Sequence, residues 1–213
     1  MVETTGPNVG GGRVNQKKRT RDAIVHAAAE LMATGREVGM PEIARSALVS
    51  EATAYRYFPD LASLLREAMD DQLPDPAAAL AAATGSGDPV ERVAVATEYL
   101  LRHVLAREGA VRAMIAATIA RPGQGVARPV LRLGLIDAAL APLEDTLGAA
   151  DPAALEELKL GLLVIVGAEA LFWLTDQYGL ETEAAVGQLV GTATALTRAA
   201  LSDGAARHAG TGD

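Results

Sequence analysis

The chain has 213 residues, 50 % hydrophobic and 22 % charged, with a formal net charge of −8, a globular composition with length for one or two domains and a core, which excludes bulk disorder. Cysteine is absent, so disulfides and thiolate metal sites are excluded, which suits a reducing cytosol. No basic-then-apolar signal segment opens the chain, and the most apolar run, Leu160 to Val166, is far short of the roughly 20 residues of a bilayer span, so a cytoplasmic protein with no membrane partner is expected.

The predicted elements are all helices, about nine of them, so the expected fold class is all-α. Residues 1–19, polar and with three glycines at 10 to 12, predict a flexible arm that carries Arg13, Lys17, Lys18 and Arg19. Ile24, Ala27, Ala28 and Leu31 mark one face of a first helix that closes near Gly35. Pro41 opens a short second helix with Ile43, Ala44 and Ala47 as its apolar positions. Ser50 caps a third, its oxygen accepting from first-turn amides, and Pro59 ends it by pushing Phe58 out of helical geometry. Asp60 caps a fourth, through Ala62, Leu65 and Met69. After a break at Pro74, Pro76, Gly85 and Gly87, Asp88-Pro89 begins a long amphipathic helix with Val90, Val93, Thr97, Leu100, Leu101 and Val104. Further helices are expected around 109–120, 129–147, 152–178 and 182–201, with a loop at Pro122, Gly123, Gly125 and Pro129 and an interruption at Pro142. The expected division is a first helical domain at 20–71, a second at 72–203, and a flexible tail at 204–213.

Charge is unevenly spread. Residues 13 to 66 hold nine Lys/Arg against six Asp/Glu, a balance of +3, whereas residues 71 to 213 hold ten against eighteen. A mildly basic end on an acidic body points to a binding end. In that end two short helices, Pro41–Ala47 and Ser50–Tyr57, are joined by Leu48-Val49, the helix-turn-helix arrangement whose second member can enter a major groove. Three of the chain's few aromatic residues, Tyr55, Tyr57 and Phe58, gather there. At 100° per residue Ala54 and Phe58 share one side of the third helix, with Ala52, Thr53, Arg56 and Tyr57 over the other, an exposed set suited to phosphates and base edges.

The stretch EIARSALVSEATAYRYFPDLASLL, and more broadly Arg21 through Leu65, resembles the DNA-binding domain of the TetR family: Ile43 and Ala44, then Val49, Ser50, Thr53, Tyr55 and Phe58, then Leu64 and Leu65. That resemblance implies a DNA-binding transcriptional regulator, usually a repressor, acting on a double-stranded operator. It implies that Thr53 and Tyr57 hold phosphate oxygens and that Tyr55 offers its hydroxyl to the backbone or a base. Ser50, Glu51 and Ala52 lie at the helix tip, where a carboxylate suits a cytosine amino group and a methyl suits thymine; Arg45 and Arg56 add cations for phosphate or guanine. Arg13, Lys17, Lys18, Arg19 and Arg21 form a basic arm; extended from 13 to 18 it reaches roughly 17 Å, enough for a minor groove. The alternatives are that the tyrosines only cover the core and that the arm is a solvated tail. Two positions depart from the family pattern: Leu48 replaces the usual turn glycine, and Leu61 replaces a lysine near the start of the fourth helix, where backbone amides are left to hold a phosphate.

In the body, helix 152–178 is apolar almost all round. One side, Leu160, Val164, Gly167, Leu171 and Leu174, together with Gly187, Gly191 and Ala195 of the last helix, predicts a homodimer interface of four helices, two from each subunit; packing within one chain is the alternative. The other side, Leu162, Ile165, Glu169, Phe172 and Trp173, with Asp176, combines with Tyr99, His103, Met114 and Thr118 as a candidate pocket for a small apolar or amphipathic effector. Alternatively this is ordinary core, with Glu169 held by Arg102 or Arg112. With His only at 26, 103 and 208 and no HExxH, G-x-S-x-G or P-loop pattern, no catalytic residue, metal site or cofactor is expected. A helical small-molecule-binding protein that does not bind DNA is the rival reading.

Overall fold

The structure, a computed structural model, describes residues 9–70, 74–120 and 130–210, with side chains at 14–70, 74–120 and 131–203. Among the described residues every regular element is helical: α1 Val9–Met32, α2 Met40–Ser46, α3 Glu51–Tyr57, α4 Leu61–Asp70, α5 Pro76–Ala83, α6 Pro89–Leu105, α7 Glu108–Ala120, α8 Val130–Leu140, α9 Pro152–Ile165, α10 Ala168–Phe172 and α11 Thr182–Gly210. The all-α class is as expected, with eleven α-helices instead of about nine. None of these helices is by itself long and apolar enough to cross a membrane.

The chain divides into two compact units. The first contains α1 to α4 and also residues 106–121, hence α7. Its core joins Ile24, Ala28 and Met32 of α1 to Ile43 and Ala44 of α2, Ala54, Phe58, Leu64 and Leu65, and Ala110 of α7. The turn after α1 uses Gly35 at φ +72, and its carbonyl accepts from the Gly109 N–H at 3.2 Å. Gly109 lies so close that a Cβ there would meet the Arg36 carbonyl oxygen at 2.3 Å. This backbone approach ties α7 to the first unit, whereas the expectation put residues 109–120 in the other domain.

The second unit packs α6 and α9 against α11, and α5 and α6 against α8, around Leu80, Val93, Leu100, Leu135, Leu140, Leu158 and Leu162. Two differences from the sequence expectation, at α5 and at the α9–α10 break, have local causes, and the interruption expected at Pro142 is present. The break expected between Pro74 and Gly87 contains α5, capped by the Asp75 carboxylate on the Ala78 N–H at 2.7 Å; its Ala-rich sequence carries almost no apolar periodicity to reveal it. At Pro142, α8 gives way to a 3-10 turn, Ala141–Leu143, and a π turn, Glu144–Gly148, because proline cannot continue the α hydrogen-bond ladder. The expected helix 152–178 is broken: Val166 and Gly167 leave helical geometry, α9 and the following segment are bent by 43°, and α10 ends in a π turn, Trp173–Gln177.

Arg132 of α8 spans that break. Its guanidinium donates to the Leu163 carbonyl at 3.5 Å and to the Glu169 carboxylate at 2.5 Å, and a Cβ at Gly167 would meet it at 2.6 Å. One cation thereby satisfies a carbonyl at the end of α9 and an acid in the first turn of α10. The ends also differ from expectation: α1 begins at Val9, inside the region expected to be an arm, and α11 runs through Gly210, past the expected end at 201. The loop expected at Pro122, Gly123, Gly125 and Pro129, and the boundary at 71/72, lie outside the described residues.

Candidate nucleic-acid interface

The short helix α3 is held at both ends. At its start Ser50 accepts from the Thr53 N–H at 3.2 Å, and the two hydroxyls are hydrogen-bonded to each other at 2.8 Å; each keeps a lone pair for an outside donor but is already oriented. At its end Phe58 leaves helical geometry and is buried with Ala54, as the spacing predicts. Ser50, Glu51, Ala52, Tyr55 and Arg56 are exposed, and Thr53 and Tyr57 are half-buried. Tyr57 packs its ring against the core while the Arg56 guanidinium sits 5.6 Å from the ring centroid. On α2, Arg45 is exposed one turn before the connection.

The connection carries the backbone exception. Leu48 adopts φ +56, so the turn keeps left-handed geometry with a residue disfavoured there. Val49 beside it packs toward the core and donates to the Ala44 carbonyl at 2.9 Å, whereas Leu48 is 92 % exposed.

The basic residues before Ile24 are helical. Lys17, Lys18 and Arg19 are exposed along α1, and the Arg13 side chain lies outside the described set. Residues 13 to 18 therefore advance about 1.5 Å each, under half the extended reach, and an α-helix about 10 Å wide does not fit a minor groove about 6 Å wide. The extended minor-groove arm is thus replaced by a cationic helix surface suited to phosphates. Arg21 is not part of that surface. It stacks 4.4 Å from the Phe58 ring centroid, donates to the Tyr57 carbonyl at 3.4 Å and forms an ion pair with Glu67 of α4. A cation at the end of α3 complements the partial negative charge of that terminus.

At α4, Leu61 packs toward the core. The Asp60 carboxylate already accepts from the Ser63 N–H at 2.8 Å, so an anionic cap stands where the expectation placed a phosphate, and like charge disfavours it there.

The other predicted sets are divided by the structure. Of the interface set, Leu160 (62 %) and Val164 (78 %) are exposed on α9; Gly187 and Gly191 of α11 have open space beside them, and Ala195 is exposed. Gly167 and Leu171 are interior, the first under Arg132, and Leu174 is half-buried. Of the pocket set, Tyr99, Leu162 and Ile165 join the core of the second unit and Phe172 is buried. His103 is half-buried with its Nε2 enclosed, and Trp173 is 65 % exposed. Met114 and Thr118 are on α7 in the first unit, where Met114 packs on the core and the Thr118 hydroxyl donates to its carbonyl at 2.9 Å. The partner of Glu169 is Arg132; Arg102 is paired with Glu183 and Glu98, and Arg112 with Glu108. Side-chain hydrogen bonding to Arg102, supplemented by its charge, holds the Glu183 carboxyl below its ordinary value against the opposing cost of desolvation. Sequence reasoning missed Glu67 and Arg132, whose partners are remote in sequence and leave no periodic signal.

Comparison with known proteins gives consistent results. A family model described as "Bacterial regulatory proteins, tetR family" matches residues 24–68. A solved structure described as a TetR transcriptional regulator from Rhodococcus sp. RHA1 is similar in fold, with a TM-score of 0.51 and 24 % identity over 85 % of this chain and 97 % of that one. No curated protein sequence matches. The family match begins at the first fully buried residue of α1 and ends at the last of α4, so it lies within the first unit and includes α2 and α3. Residues 24–68, with the helix-turn-helix formed by α2 and α3, thus match the tetR family of bacterial regulatory proteins, and the chain is similar in fold to that solved structure.

Proposed function

We propose that the protein is a homodimeric repressor that binds a near-palindromic operator through α3 and is released by a small apolar or amphipathic effector. The observation that carries this reading is the two-sidedness of α3: Ala54 and Phe58 fasten it to the core, while Glu51, Ala52, Tyr55 and Arg56 face outward, a set that can combine base contacts with phosphate contacts. Arg45, Ser50, Thr53 and Tyr57 flank it, and Lys17, Lys18 and Arg19 add charge along α1.

Dimerisation is supported by a smooth exposed surface on two helices that pack together. Leu160 and Val164 of α9 lie out, as do Gly187, Gly191 and Ala195 of α11. A second copy covering these residues would form a four-helix contact and give a pair of α3 helices for half-sites about 34–36 Å apart. Sedimentation as a monomer at micromolar concentration contradicts this part.

For the effector, support lies in the second unit. Half-buried Tyr99 and His103 of α6 supply polar groups beside an apolar core, and the α9–α10 break with its π turn is a geometry frequent at functional sites. An effector acts only by binding the two states of the protein unequally. Selection of bound fragments from random DNA tests the whole reading: retained fragments with paired, inverted half-sites support it. Saturable ligand binding with no retained fragment supports a helical small-molecule-binding protein instead.

A further inference from the structure

Leu48 combines two costs that its own chain does not repay. Its backbone is in the left-handed region, at φ +56, where glycine or asparagine is the usual occupant. Its side chain is 92 % exposed, so the leucine gains no burial within the protein. Strained residues concentrate where surrounding structure holds them for a function, and Leu48 sits two residues before Ser50, the cap of α3. Ser50, Glu51 and Ala52, which follow it in the chain, are exposed as well.

We propose that Leu48 is a specificity-determining residue whose side chain covers a thymine 5-methyl group in each operator half-site. This rests on the DNA-binding reading above. In helix-turn-helix docking the first turn of the second helix meets the base edges, which brings the preceding connection to the rim of the major groove. Almost everything presented there is a hydrogen-bond donor or acceptor, which leucine cannot use; the thymine methyl is the apolar exception. Covering it removes two apolar surfaces from water at once. The neighbouring Val49 points inward, so the apolar group offered outward by the connection is that of Leu48.

The test starts from a fragment that the wild-type protein selects from random DNA. Each thymine is replaced in turn by deoxyuridine, which removes only the methyl group, and affinity is measured for the wild type and for Leu48→Ala, which keeps a Cβ and the same backbone demand. At one thymine per half-site the wild type is expected to lose about four-fold in affinity, the worth of one buried methyl. Leu48→Ala should bind the unmodified fragment at least that much more weakly and lose nothing further on the modified one. The proposal is overturned if Leu48→Ala binds like the wild type. It is equally overturned if the variant is weaker on every fragment but still responds to each deoxyuridine as the wild type does, as a contact to sugar would require. Failure of the wild type to retain any DNA is a separate result, which removes the operator reading itself. A thermal midpoint for Leu48→Ala close to wild type shows that folding is intact.

Discussion

Replacing Arg21 with alanine separates two roles that the sequence cannot distinguish: a free cation for phosphate and a strut that fixes α3. In the structure the guanidinium stacks on Phe58 at 4.4 Å, reaches the Tyr57 carbonyl at 3.4 Å and pairs with Glu67, both partners about two-fifths exposed. A part-exposed cation–π contact contributes about 0.5–1 kcal/mol, a long charge-assisted hydrogen bond about as much, and a solvent-screened ion pair less than about 1 kcal/mol. Arg21→Ala is therefore expected to lower unfolding free energy by about 2 kcal/mol in a urea titration. Arg21→Lys, which keeps charge but loses the planar stack, should fall between. Combining Arg21→Ala with Glu67→Gln should cost less than the sum of the two, because they remove one shared interaction. Unchanged stability for Arg21→Ala, with the salt dependence of operator binding reduced by about 0.9 log units per log unit of salt, would refute the strut and restore a phosphate ligand.

Other outcomes follow from single observations. Leu48→Gly relieves the positive φ without losing buried area and should stabilise the fold by about 1 kcal/mol in the same titration, less the entropy glycine adds to the unfolded chain. Gly109→Ala places a Cβ 2.3 Å from the Arg36 carbonyl oxygen and should destabilise the first unit by about 1–3 kcal/mol, with hydrogen exchange accelerated in α7. Because the folded Glu183 carboxyl is depressed, its contribution is present above its unfolded value and lost as pH falls through the folded one. Any stability advantage of the wild type over Glu183→Gln should thus appear at neutral pH and close below about pH 4 in thermal melts across pH.

The helix-turn-helix was legible because its signals are local: a capping serine, a proline stop and the Ala54–Phe58 spacing all act within a few residues. The broken helix was not. Leu160 to Leu174 preserves apolar spacing across the Val166–Gly167 break, so periodicity alone merges α9 and α10, and the cation that holds the bend comes from α8. Merging them also placed Gly167 and Leu171 on the same outer stripe as Leu160 and Val164, from which a 43° bend removes them. The basic arm failed for a different reason. Charge marks Lys17 to Arg19 as exposed, but Gln, Lys and Arg are good helix formers, with no proline between Val9 and Met32 to stop the helix from starting early. Likewise the sequence gives no sign that Arg21 pairs with Glu67, 46 positions away.

The most direct trial of α3 as the reading element is affinity for the selected fragment, measured from low to moderate salt, with the wild type and with a variant carrying both Tyr55→Ala and Arg56→Ala. These side chains are exposed and outside the core, so the variant should stay folded while its affinity drops at least ten-fold and discrimination among fragments narrows, as losing base and phosphate contacts requires. A folded variant with unaltered affinity, salt slope and fragment preference would contradict the account.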